Sequence, residues 1–198
     1  MLPSQDICTV ALLGGSFNPA HAGHVHISKL ALKHLKAQQV WWLVSPQNPM
    51  KSTKNTAPLA QRLYGAQKIL KPHRNIIATD LERQFGTQYS IDTIKAIQHH
   101  FPRTHFTWIM GADNLLQLDQ WDDWQGIMQR ISIAVMDRAP YGMKALSSKA
   151  VIRYRQHRIL SRDRALLLYS KPPCWVYLPI KRNSLSSTQI RAAGKSVD

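Results

Sequence analysis

Short apolar runs alternate with helix-period segments along most of this chain, and no other feature constrains its fold as much. Runs of four or five mostly apolar residues read as strands at Thr9–Leu13, Val40–Val44, Asn75–Ala78, Phe106–Met110 and Ile131–Val135, with a further short one at Trp175–Leu178. The first helix, Val25 to Leu35, carries Ile27, Leu30, Ala31 and Leu35 on one face. A second, from about Pro58 to Leu70, has Leu59, Leu63, Ala66 and Leu70 as its stripe. A third starts at Ser90, whose hydroxyl is expected to cap it, and continues through Ile91, Ile94 and Ile97. Strand and helix taken in turn predict an α/β fold, with a mainly parallel sheet covered by helices on both faces. With 198 residues, no internal repeat and no linker, residues 1–198 read as one domain.

Composition narrows the class. An apolar share of 44% suits a globular core. No apolar run approaches the length of a membrane span, and Met1 to Asp6 carries no signal-peptide pattern. Cys8 and Cys174 match no metal or redox spacing and read as small buried residues of a reduced compartment, so the expected location is cytoplasmic. Lys and Arg number 26 against 11 Asp and Glu, a net charge of +15. The charge is densest from Lys144 through Arg164 and returns at Lys181, Arg182, Arg191 and Lys195. It is dispersed, and no aromatic-interleaved nucleic-acid signature goes with it, so it reads as a solvated basic face that also helps anions approach. Ser45–Ala57 is rich in Pro, Ser, Asn and Lys and reads as a long loop. The basic stretch Arg138–Lys171 reads as partly helical with a mobile connection.

The chemistry concentrates in Gly14-Gly15-Ser16-Phe17-Asn18-Pro19-Ala20-His21-Ala22-Gly23-His24, placed between the first strand and the first helix. Glycine lets a backbone come close to a ligand, and the free amides of a helix start favour anions. Two imidazoles one turn apart add potential cations at the same point. Such a loop suits a polyphosphate.

This block resembles the H-x-G-H nucleotidyltransferases, a Rossmann-like superfamily that transfers AMP or CMP onto phosphates. A bare H-x-G-H occurs by chance; eleven residues between a strand and a helix are specific. Four further segments resemble the bacterial nicotinate-nucleotide adenylyltransferases within it. Ile109-Met110-Gly111-Ala112-Asp113, with Trp121 downstream, is similar to a G-x-D…W segment whose corner borders the nucleotide and whose tryptophan stacks on the pyridine ring. Tyr89-Ser90-Ile91-Asp92-Thr93 is similar to S-Y-T-x-D-T, where a helix N-terminus holds the nicotinate carboxylate. Ser186-Ser187-Thr188-Gln189-Ile190-Arg191 is similar to the S-S-T-x-I-R run that grips the β- and γ-phosphates. Ser45 to Lys51 stands where the family has P-P-H-K, with Asn48 and Met50 replacing the usual Pro and His. Arg62 and Glu82 also match residue types common in the family, with structural or functional roles.

The resemblance implies transfer of AMP from ATP to nicotinate mononucleotide, giving nicotinate adenine dinucleotide and pyrophosphate in NAD biosynthesis. It implies His21, His24 and Arg191 as catalytic residues. ATP falls to Gly14, Gly15, Ser16, Phe17, His21, His24, Gly111, Asp113, Ser187, Thr188 and Arg191. The nicotinate nucleotide falls to Ser16, Asn18, Lys51, Tyr89, Ser90 and Trp121. Mg²⁺ is expected on the ATP phosphates, without a protein cage. The partners implied are ATP and nicotinate mononucleotide, with no membrane and no specific nucleic acid; a homo-oligomer stays open. The alternatives are another acceptor, either nicotinamide mononucleotide or phosphopantetheine, and a basic nucleic-acid-binding protein on the same scaffold.

Overall fold

The computed structural model describes residues 9–46, 56–137 and 141–180. Seven strands form one sheet: β1 (Thr9–Gly15), β2 (Gln39–Val44), β3 (Ile76–Thr79), β4 (His105–Gly111), β5 (Ser132–Met136), β6 (Arg158–Ile159) and β7 (Trp175–Leu178). Their order is β3-β2-β1-β4-β5-β7-β6. Every pairing is parallel, so the sheet goes further than the mainly parallel one expected.

Alternation along β1 shows how the two faces are built. Val10 and Leu12 enter one core with Trp41, Trp108 and Ile94; Ala11 and Leu13 enter the other with Trp42, Val25 and Leu35. A strand buried on both faces must be apolar at every position, which is why the strands read as continuous runs. The first core is covered by α4 (Ser90–His100), α5 (Ala112–Gln117), α6 (Trp124–Arg130) and α8 (Lys149–Tyr154). The second is covered by α1 (Ala22–Leu35), α2 (Leu59–Leu70) and a 3₁₀ segment, Ser161–Tyr169. Helices therefore lie on both faces, as expected, and the architecture is a doubly wound, Rossmann-like α/β fold.

Three details depart from expectation. β3 and β5 are each displaced by one residue, to Ile76–Thr79 and Ser132–Met136. The third helix does begin at Ser90, but its cap position is Tyr89 and no side chain bonds its first amides. The reason is local: Thr93 turns the chain back by giving both its amide and its hydroxyl to the Tyr89 carbonyl, each at 3.1 Å, and also contacts the Thr87 hydroxyl at 2.8 Å. Third, the basic stretch after β5, partly helical as expected with α7 (Gly142–Ala145), α8 and the 3₁₀ segment, also holds the edge strand β6.

The chain builds β1, β2 and β3 outward in one direction, then crosses back to lay β4 against the other side of β1. Ligands of such sheets bind outside the carboxyl ends of the strands where the order reverses. That point lies between β1 and β4, where Leu13 pairs with Ile109 and the two strands end in Gly14-Gly15 and Gly111.

Candidate active site

At the end of β1 the backbone must turn sharply and stay near its neighbours. A Cβ on Gly14 would lie 2.8 Å from the Trp108 indole, so only glycine lets the strand pass that ring. Three residues on, Phe17 sits at φ 46, a left-handed conformation costly for a non-glycine residue. Its ring is buried and stacked on Trp42, with centroids 4.7 Å apart and planes 13° apart. Trp42 is itself held by its indole N–H, which donates to the Ser28 hydroxyl at 2.7 Å; Ser28 donates in turn to the His24 carbonyl at 2.9 Å.

The two histidines open α1 as a reciprocal cap. His21 Nδ1 accepts the Gly23 amide at 3.1 Å, and His24 Nδ1 accepts the His21 amide at 3.2 Å. Imidazoles here do what a hydroxyl and a carboxylate do in an ordinary capping box. A ring nitrogen that accepts an N–H carries no proton, so each neutral ring holds its proton on Nε2 as a donor. The rings stand 3.9 Å apart, and His24 lies 4.8 Å from Phe17 and 5.7 Å from Trp42. His21 is buried and His24 half-buried.

Across the switch point, β4 ends at Gly111 and α5 begins at Ala112, with Asp113 in its first turn, as the sequence implied. Trp121 follows a 3₁₀ turn, Leu118–Gln120, half-buried and edge-on to Trp108 with centroids 6.4 Å apart. Trp108 thus touches the Gly14 position on one side and Trp121 on the other. Helix α4 leads down to β4, which puts its N-terminus, with the exposed Tyr89, on the same edge of the sheet, and it packs on α6 just beyond Trp121. Lys51, Ser187, Thr188 and Arg191 lie outside the described residues, as do Cys8, Asn48 and Met50.

Sequence patterns did not point to Trp42, Ser28 or Trp108, whose roles come from contacts across the sheet. They also understated Arg62. It is buried, and its guanidinium donates to the carbonyls of Ser16 and Ser45 at 2.7 Å and of Pro46 and Ala57 at 2.8 Å. Glu82 is buried beside it, and burial pushes its carboxyl up to about 7 against the opposing pull of the Ser45 hydrogen bond and the Arg62 charge. Among the described residues no three His, Cys, Asp or Glu side chains group into a metal cage.

A cytidylyltransferase-like family model matches residues 12–193. The chain is 44% identical over 186 residues to a probable nicotinate-nucleotide adenylyltransferase of Cereibacter sphaeroides, covering 94% of this chain and 98% of that one. A protein of the same name from Parvibaculum lavamentivorans is 43% identical, covering 93% and 92%. Among solved structures, nicotinic acid mononucleotide adenylyltransferase of Plasmodium falciparum, complexed with NaAD, superposes with a TM-score of 0.70 at 16% identity, covering 93% of this chain and 83% of that one. At that identity the likeness speaks for the fold alone. The family match over nearly the whole chain and the relatives above 40% identity place the protein plainly: it belongs to the cytidylyltransferase-like family, beside relatives named as probable nicotinate-nucleotide adenylyltransferases.

Proposed function

We propose that this protein is a nicotinate-nucleotide adenylyltransferase of NAD biosynthesis, moving AMP from ATP to nicotinate mononucleotide. The observation that carries the reading is the His21–His24 cap, set directly after Gly14-Gly15 at the switch point of a sheet whose family transfers nucleotidyl groups. Relatives above 40% identity that carry this name support the choice of acceptor.

In this reading an oxygen of the mononucleotide phosphate attacks the α-phosphorus of ATP in line. The bond from that phosphorus to the bridging oxygen breaks, and pyrophosphate leaves with the electron pair. An ionised phosphate needs no protein nucleophile, so catalysis rests on alignment and on neutralising charge in the transition state. The Nε2–H of His24 meets the α-phosphate and that of His21 the phosphates alongside, while Ser187, Thr188 and Arg191 hold the leaving pyrophosphate. The Gly14–Phe17 turn, Gly111 and Asp113 border the adenylate. Ser16, Asn18, Lys51, the N-terminus of α4 at Tyr89-Ser90, and Trp121 receive the nicotinate nucleotide. Mg²⁺ bound through the ATP phosphates would supply charge neutralisation there. No described helix is long and apolar enough to cross a membrane.

The test is pyrophosphate release with ATP and Mg²⁺, offering nicotinate mononucleotide, nicotinamide mononucleotide and phosphopantetheine in parallel. The expected result is strong preference for the nicotinate nucleotide, and a fall of about a hundredfold or more in kcat for His24→Ala with its melting curve retained. Activity with another acceptor alone would sink the acceptor assignment. Silence with all three would return the chain to the nucleic-acid-binding alternative.

A further inference from the structure

Arg62 uses four of its five N–H donors on main-chain carbonyls, and those carbonyls come from three separate stretches. Ser16 belongs to the glycine-rich turn after β1. Ser45 and Pro46 begin the loop after β2, and Ala57 precedes α2, the helix that carries Arg62. Further bonds close the circuit. The Ser45 amide donates to the Gly15 carbonyl at 3.0 Å, and the Ala57 amide donates to Asn18 Oδ1 at 3.4 Å. Phe17 is therefore flanked on both sides by anchored residues: Ser16 through its carbonyl and Asn18 through its side chain. It is also the residue held at φ 46, and its ring touches His24.

A left-handed non-glycine residue persists only where its surroundings over-determine it. Here the surroundings are Trp42 beneath the ring and the guanidinium at the preceding carbonyl. Only a planar fork with several fixed donors can bind so many carbonyls at once; a lysine ammonium in this position would reach fewer of them. Glu82 is buried nearby with its carboxyl bonded to Ser45, and once ionised, above about pH 7, it offsets part of what burial costs the guanidinium.

We propose that Arg62 is a positioning residue: it holds the glycine-rich turn and the first residues after β2 in one arrangement and, through Phe17, sets where the His24 ring stands. It touches no substrate. Its activity readout rests on the adenylyltransferase reading, so the test pairs that readout with one that does not.

The test compares wild type with Arg62→Lys and Arg62→Ala as full chains. Misplacing catalytic groups by an ångström costs about a hundredfold in rate, so Arg62→Lys should lose about that in kcat while the KM for ATP changes less than about threefold. Backbone amide exchange should quicken about tenfold or more in residues 14–18 and 43–46, and remain at the wild-type rate in β4 and α5. Added methylguanidinium should raise the kcat of Arg62→Ala about tenfold and leave wild type unaffected, since it restores the charge-assisted donors. Wild-type turnover and wild-type exchange in Arg62→Lys would overturn the proposal. So would loss of cooperative melting in both variants, because the residue would then hold the fold and not the turn. A wild-type chain that releases no pyrophosphate would instead sink the reaction assignment, while the exchange contrast would still decide the role of Arg62.

Discussion

At Gly14 a single added methyl group meets a wall. Its Cβ would stand 2.8 and 2.9 Å from two carbons of the Trp108 indole, a ring that is 2% exposed and has little room to slide. Gly14→Ala should therefore destabilise the protein by about 1–3 kcal/mol, the usual cost of overpacking a well-filled core. A urea midpoint measures this; a shift worth less than about 0.5 kcal/mol would mean that the ring moves aside freely. Gly15 differs. Its Cβ would reach the Phe17 ring at 3.4 Å, an ordinary contact, so of the pair it is Gly14 that the packing requires. The same residue-scale reading applies to the histidines. Their pairing is visible in the sequence as a spacing, but only the hydrogen bonds show Nδ1 of each ring turned inward to the backbone, which assigns the proton to Nε2.

Helix α4 shows how an element can be held back from its own best capping. Tyr89 at its cap position has the extended backbone, φ −98 and ψ 147, that a capping aspartate also adopts, yet it offers no cap. Uncapped amides at a helix start remain available to an anion. Tyr89→Asp should then stabilise the protein by about 1 kcal/mol while raising the KM for nicotinate mononucleotide roughly tenfold, because the new carboxylate competes for those amides. Steady-state kinetics beside a thermal melt tests both halves. Gain in stability with an unchanged KM would remove the helix start from the acceptor site. Elements of this length were legible in sequence because burial on both faces or on one stripe leaves a pattern. Six strands and the helices α1, α2 and α4 announce themselves in that way. The edge strand Arg158–Ile159 spans two residues, and α3 (Leu81–Phe85) and α5 to α8 span four to seven, too short for any period to register. The cap of α4 falls at Tyr89, one position before Ser90, and it is Thr93 that bonds back across the turn. The four carbonyl bonds of Arg62 left no local trace, since three of them join residues 16, 17 and 46 apart in the chain and their cause is burial, which no window of sequence shows.

For the molecule as a whole, an excess of 15 positive charges makes stability sensitive to pH in more than one way, and Glu82 contributes a component that can be isolated. Its carboxyl is raised from 4.5 to about 7, chiefly by burial, with the Ser45 hydrogen bond and the Arg62 charge pulling the other way. Between those two pH values the unfolded chain has already lost this proton while the folded chain still holds it. The folded state binds more protons, so stability falls as pH rises through the window, by about 1.4 kcal/mol per unit and on the order of 3 kcal/mol in all, and is level above it. This stabilisation is full below pH 4.5. Asp80 acts with the opposite sign and elsewhere: its carboxyl is lowered from 3.8 by the bonds from Gln84 and Arg83, which outweigh its burial, so its contribution is lost only in stronger acid. Self-repulsion among the basic groups grows on acidification in wild type and in Glu82→Gln alike, so the difference between their urea stabilities cancels it. That difference should move against wild type by a few kcal/mol from pH 5 to pH 7.5. If it stays constant, Glu82 is ionised throughout the range, and the Arg62 guanidinium faces a full carboxylate even in mild acid.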